Sequence, residues 1–338
     1  ARYIAEYSIT GLTSNPSIFD AAISNGDAYD DAIRAKTQTG LSGERLFIEL
    51  ALEDLRRAAD LFRPAFDETG QADGWVSMEI SPLLARDTRA SIDAAAQIHR
   101  QADRPNLFVK IPGTPEGIPA IEESIFAGVP VNVTLLFSRE QYLAAAQAYQ
   151  RGIERRVAAG LDPRVGSVAS LFVSRWDKAV NDKVPTPLRN RLGIAIGART
   201  YCAYRELLAS PRWRRLAAAG ARPQRLLWAS TGIKDAAAAD TLYVEALAAP
   251  DTIDTMPQKT LQAFADHGEI KGVMAEDGGD AEATLARFAD SGIDVDALAI
   301  RLQCDGAESF VRSWQEIMQR LGAKCAAPLV GTARTKTA

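Results

Sequence analysis

Residues 107–114 read Leu-Phe-Val-Lys-Ile-Pro-Gly-Thr. Leu107–Ile111 is a short apolar run with two β-branched residues, closed by Pro112-Gly113. Such a run reads as a buried strand ending in a turn. Lys110 breaks the pattern. The chain has nine lysines, and the other eight read as lying in helices, loops or the tail. Burying an ammonium is costly unless it is paired or neutralised. Desolvation favours the neutral amine of a lysine, and a neutral amine attacks carbonyls. A buried ion pair with Glu79 is the other reading. Residue chemistry alone leaves both open.

Similar runs recur on either side at Ser8–Thr13, Trp75–Ile80, Val129–Leu135, Ser167–Val173, Arg225–Ser230 and Thr252–Met256. Between them lie helical patterns. In Glu44–Phe62 the residues Leu46, Phe47, Leu50, Ala51 and Leu55 recur on a helical period, and Arg139–Ala159 and Leu188–Leu208 are two more such segments. Alternating β and α units predict a parallel sheet.

Side chains alternate faces along a strand. Ser77 and Glu79 alternate with Val76 and Met78, Asn132 and Thr134 with Val131 and Val133. Lys110 shares the parity of Phe108, and Ser170 that of Phe172. One face packs on helices while the other carries sparse polar groups. In an α/β (β/α)8 TIM barrel those second faces converge on the axis, and sites form at the C-terminal mouth. A closed barrel of this kind has about eight strands. The sequence offers seven, so the expectation is that the first strand is absent from this chain. The single barrel domain is expected over 1–328, with a loose tail over 329–338.

The chain has 338 residues, 47% of them hydrophobic, enough for a substantial core. Its net charge of −4 attracts neither nucleic acid nor an anionic membrane. An anionic substrate must therefore be held by a few placed cations. Cys202, Cys304 and Cys325 form no C-x-x-C pair, which fits a reducing cytoplasm. The N-terminus shows no secretory signal, and no apolar run is long enough to span a bilayer. His99 and His267 are the only histidines, so neither a metal site nor a Ser-His-Asp triad is expected.

Other polar residues have both a functional and a structural reading. Glu79 ends a strand as a proton shuttle or as a counter-ion. Thr134 is an ordinary strand residue type, whereas Asn132 is of a type depleted there. Asn15, in Gly11–Phe19, precedes Pro16 and Ser17 and suits a helix cap. Arg175 follows the strand Ser167–Val173, and Ser230 and Lys234 follow Arg225–Ser230. A cation, a hydroxyl and a glycine after late strands suit a phosphate; surface ion pairs are the alternative. Asp277-Gly278-Gly279-Asp280 reads as a turn.

Taken together, Gly11–Phe19, Val76–Asp87, Asn106–Thr114, Val131–Ser138, Ser167–Asp177, Leu227–Lys234 and Asp240–Met256 resemble transaldolases, especially the long actinobacterial and cyanobacterial type. The likeness covers nearly the whole chain. It implies Schiff-base formation on Lys110, with Glu79 and Thr134 holding a catalytic water. Asn15 and Asn132 would bind substrate hydroxyls or the imine region, with Ser170 lining the site. Arg175 and Ser230 would bind phosphate, and Lys234 stands in for the family's second phosphate arginine. Phe172 lies where related small aldolases carry Tyr, which favours transfer over simple aldol cleavage.

The implied reaction moves a dihydroxyacetone unit between sugar phosphates of the pentose phosphate pathway: sedoheptulose 7-phosphate plus glyceraldehyde 3-phosphate gives erythrose 4-phosphate plus fructose 6-phosphate. It needs no metal and no organic cofactor. The implied partners are sugar-phosphate substrates, and the implied assembly is a monomer or homodimer. The family also places an acid/base Asp on its first strand, a segment expected upstream of Arg2-Tyr3-Ile4. Glu6 and Asp20 do not substitute for it. A lyase resembling fructose 6-phosphate aldolase, an inactive sugar-phosphate-binding chain and a metal-dependent aldolase are the rival readings.

Overall fold

In a computed structural model, which describes residues 1–24 and 26–326, seven parallel strands stand side by side in their sequence order. They are β1 Leu12–Thr13, β2 Val76–Glu79, β3 Leu107–Pro112, β4 Val131–Leu136, β5 Ser167–Phe172, β6 Arg225–Ala229 and β7 Thr252–Asp254. All seven expected strands form, most within one or two residues of their expected ends. The expected tail over 329–338 lies outside the described residues.

The exception is the segment Ser8–Thr13. Ser8 adopts φ 53° as the left-handed cap of the helix Arg2–Tyr7, and only Leu12–Thr13 joins the sheet. The helix expected over Leu188–Leu208 is also broken. A 3₁₀ turn, Thr186–Leu188, precedes the α-helix Leu192–Ala209, and Asn190 between them has φ 60°.

The outward faces of the strands make the core. Val76, Val109, Ile111, Val131, Val133, Ala169, Leu171 and Leu226 are each fully buried against helices. Each large aliphatic side chain among them contributes about 1.5–3 kcal/mol by leaving water. The helix Gly43–Glu68 supplies Leu46, Leu50, Leu55, Ala59, Phe62 and Phe66 from one face, the helical period expected from the sequence. Asp87 and Ser138 cap the helices Thr88–Ala102 and Arg139–Ala158 by accepting from the backbone N–H of Ala90 and Gln141.

The inward faces show that the sheet is curled. The Nδ2 of Asn132 on β4 donates to Ser77 Oγ on β2 at 3.1 Å, across β3. In a flat sheet those strands would lie about 10 Å apart. Residues of every strand except β4 line a single cleft of about 470 Å³, among them Thr13, Ser77, Phe108, Val168, Leu227 and Ile253. The cleft lies where β1 and β7 face each other, and among the described residues no pairing joins these two strands. The architecture is thus a curled, parallel, barrel-like α/β half-barrel with an open seam. Among the described residues no helix is long and apolar enough to cross a membrane.

Asp254 ends β7 at this seam. Its Oδ1 accepts from Thr231 Oγ1 at 2.9 Å, while its Oδ2 is covered and has no partner among the described residues. Burial pushes the carboxyl up to about 7, with the Thr231 hydrogen bond opposing. The folded chain therefore holds a proton there that the unfolded chain has already lost. That contribution to stability is complete below about pH 4 and is lost as pH rises towards about 7. Asp254→Asn is accordingly expected to gain thermal stability relative to the parent over that window and to hold a constant offset above it. Melting curves from pH 4 to 8 check this, and parallel curves at all pH values would contradict it.

Candidate active site

Lys110, Glu79 and Asn132 stand in one layer of the curled sheet, because Glu79 pairs in register with Lys110 and Lys110 with Asn132. Thr134 occupies the next layer, level with Pro112. All are buried. Lys110 Nζ donates to Glu79 Oε2 at 3.3 Å and to the Ser14 carbonyl at 3.1 Å. The counter-ion reading of Glu79 therefore holds in this structure, and it does not exclude a chemical role. Burial pushes the Glu79 carboxyl up, while Lys110 and then Arg175 pull it down. Glu79 Oε1 and Thr134 Oγ1 are both covered and have no protein partner among the described residues.

Asn132 is held from both sides. Its Oδ1 accepts from Ser170 Oγ at 2.7 Å while its amide donates to Ser77. On the strand next to that of Lys110, this chain of hydrogen bonds fixes the amide in one orientation. Ser77, which belongs to it, stood out in the sequence only by its parity with Glu79 and was not among the expected site residues.

A second group gathers beyond the C-terminal ends of β5 and β6. Ser174 N donates to the Ser230 carbonyl at 3.0 Å, and the two hydroxyls are 3.0 Å apart. This ties Arg175 to Ser230, which adopts φ 57°. The Arg175 guanidinium lies 5.2 Å from the Phe172 ring and 5.9 Å from that of Phe310, a cation–π arrangement. Arg175 has no salt bridge among the described residues. Desolvation disfavours its charge, and Asp305 and Glu79 favour it. Lys234 is more exposed than the others. Partial desolvation, then the charges of Arg175 and Lys178, push its ammonium down, so the cations are close enough to repel.

Asn15 lies next to Ser14, whose hydroxyl donates to the Ser77 carbonyl at 2.7 Å. Its Oδ1 accepts from Ile18 N at 3.0 Å, so it caps the helix Pro16–Ser24 as its structural reading required. Glu6 pairs with Arg2 and Asp20 with Arg320, so both carboxylates are engaged by surface cations. Asp277–Asp280 forms the expected turn, with Asp277 Oδ1 accepting from Gly279 N at 3.0 Å.

Gln303 and Phe310, which reach the barrel mouth from the helix Val295–Ala326, were not among the site residues expected from the sequence. A polar residue on an otherwise apolar helical stripe (Leu298, Ala299, Leu302, Gly306, Phe310) was the available signal.

Residues 1–321 match the model of the family described as Transaldolase/Fructose-6-phosphate aldolase. A Transaldolase of Thermobifida fusca is 44% identical over 97% of this chain and 91% of its own length. A Transaldolase of Thiobacillus denitrificans is 43% identical over 95% of this chain and 92% of its own. One from Parafrankia sp. is 42% identical over 93% and 88%.

Proposed function

The chain belongs to the transaldolase/fructose-6-phosphate aldolase family, and from that premise we propose how it acts as a transaldolase on sugar phosphates. The observation that carries the proposal is Lys110, the one buried lysine among the described residues, held against the Glu79 carboxylate inside the curled sheet, with Glu79 Oε1 and, one layer on, Thr134 Oγ1 covered and without a partner among those residues.

Lys110 Nζ adds to the ketose carbonyl. Glu79 Oε1 and Thr134 Oγ1 suit a shared water that carries the proton to the departing hydroxyl, leaving an imine. Water-relayed proton transfer of this kind is ordinary general acid–base work. The imine withdraws the electron pair of the neighbouring carbon–carbon bond. A base takes the hydroxyl proton of the leaving aldose (the role the family gives its first-strand aspartate), the aldose departs with its carbonyl formed, and the three-carbon enamine remains on Lys110. An incoming aldose carbonyl is attacked by that enamine, and hydrolysis of the new imine frees Lys110. Asn132, fixed by Ser77 and Ser170, is oriented to meet a substrate hydroxyl, with Asn15 beside the Ser14 carbonyl.

Arg175, Ser230 and Lys234 form the phosphate end. Arg175 is desolvated, stacked on aromatics and, among the described residues, free of a carboxylate partner, which suits a bidentate oxyanion. Arg175→Ala is expected to raise KM for fructose 6-phosphate by about 10- to 100-fold, the worth of one or two charge-assisted hydrogen bonds. Steady-state kinetics check it; an unchanged KM would remove Arg175 from the phosphate site.

We read the seam between β1 and β7 as the place of an eighth strand of a (β/α)8 barrel, where the family's aspartate acid/base would stand. The three unpaired cysteines suit a reducing cytoplasm.

The test is incubation with fructose 6-phosphate and borohydride, followed by mass spectrometry. A reduced dihydroxyacetone adduct on Lys110 is the expected result. A folded sample with Lys110 unmodified would overturn the reading.

A further inference from the structure

We propose that Gln303, on the helix Val295–Ala326, is a positioning residue for Thr134; this rests on the role proposed for Thr134 above. The end of β4, the strand next to that of the reacting lysine, does not run on as regular ladder. Between Val133 and Leu136 the pairing of β4 with β5 shifts, with an extra residue on β4. Leu135, directly after Thr134, takes φ 60°. A leucine there is strained, and a bulge of this kind re-aims the neighbouring side chain. Such a conformation persists only where its surroundings hold it.

Gln303 supplies that hold. Its side chain is buried, and its Nε2 donates to the Leu135 carbonyl at 2.9 Å and to the Gly113 carbonyl at 3.0 Å. Both partners are acceptors only, so the amide nitrogen must face them. Gly113 N in turn donates to the Thr134 carbonyl at 2.7 Å. One side chain from a distant helix thus joins the turn after Lys110 to the bulge after Thr134. One turn along the helix, Gly306 keeps the same face low. A Cβ there would stand 3.0 Å from Leu135 Cδ2 and 3.1 Å from Arg175 Nη1.

With Gln303→Leu, two carbonyls lose their donor and the bulge can relax, moving Thr134 Oγ1 relative to Lys110 and Glu79. Misplacement of a catalytic group by about 1 Å can cost on the order of 10²-fold. The experiment follows single-turnover formation of the borohydride-trapped adduct from fructose 6-phosphate. It compares the parent, Gln303→Leu, Thr134→Ala and the double variant, with melting curves alongside. Each single variant is expected to slow adduct formation about tenfold or more. The double variant is expected to be no slower than the slower single one, because both changes remove the same placement.

Gln303→Glu keeps the length of the side chain and decides the matter if the leucine variant does not fold. Its carboxylate faces two carbonyls, whereas its protonated form donates one hydrogen bond. Its adduct rate is expected to recover on acidification relative to the parent, a signature that a packing role would not produce. Losses that multiply in the double variant would overturn the proposal, as would folded Gln303 variants with the parent's rate and pH profile. Failure of the underlying reading looks different: no adduct in the parent, or a Thr134→Ala chain as fast as the parent.

Discussion

A Lys110→Met chain is expected to form no borohydride-trapped adduct and to lose turnover by on the order of 10⁴-fold or more, since the covalent route has no other nucleophile. Methionine nearly keeps the volume and apolar stem of lysine, so the strand Leu107–Pro112 keeps its packing. The electrostatic consequence falls on Glu79. Its Oε2 loses the donor now at 3.3 Å, and it is left buried without its cation. Removing one partner of a buried pair typically costs about 3–5 kcal/mol when the other charge is stranded. Here the loss is smaller, because burial already pushes the Glu79 carboxyl up and it can take a proton instead. Folded protein is therefore expected in quantity. Lys110→Arg separates the two roles. It keeps a cation beside Glu79 but no nucleophile, so it should match the methionine variant in activity. Trapping, a coupled turnover assay and melting curves on the three chains check this. Turnover within about tenfold of the parent in either variant, or an adduct on another lysine, would sink the assignment.

Glu79→Gln is expected to lower the rate of adduct formation by about 10²–10⁴-fold, the usual contribution of a positioned acid–base group. Glutamine still accepts a hydrogen bond from Lys110 and fills the same space, so the loss isolates proton transfer. The pH dependence carries a second signature. Burial holds the Glu79 carboxyl above the ordinary glutamate range against the pull of Lys110 and Arg175. The parent's rate should therefore fall on acidification at a higher pH than an exposed carboxylate would give, and that limb should vanish in the glutamine variant. A pH–rate profile with the same acid limb in both chains would assign the limb to another group. Thr134→Ala should slow the same step with little change in KM, because its hydroxyl and Glu79 Oε1 are proposed to share one water.

Much of the fold could be read locally. The seven strands follow from short apolar runs ending in Pro, Gly or Ser, and the packing faces follow from a period of two. Parity alone set Ser77, Glu79, Lys110, Asn132 and Thr134 apart from the residues that pack on helices. These are properties of neighbouring residues, so the sequence by itself determined them. The transaldolase motifs carried the roles of Lys110 and Glu79 further than residue chemistry could, and the structure adds the ion pair between them.

What only the tertiary structure decided is non-local. The register places Glu79 level with Lys110, and the curl brings Asn132 within reach of Ser77 across an intervening strand. Neither follows from the composition of any one strand. Ser8–Thr13 read as a full strand, yet only two of its residues join the sheet, because one edge of that segment faces a seam rather than a partner. The bulge at Leu135 and the hold on it by Gln303 join residues separated by 168 positions. No spacing rule spans that distance. Hydrogen-bond partners far apart in sequence are chosen by how the whole chain packs, and that choice decides how Thr134 is aimed.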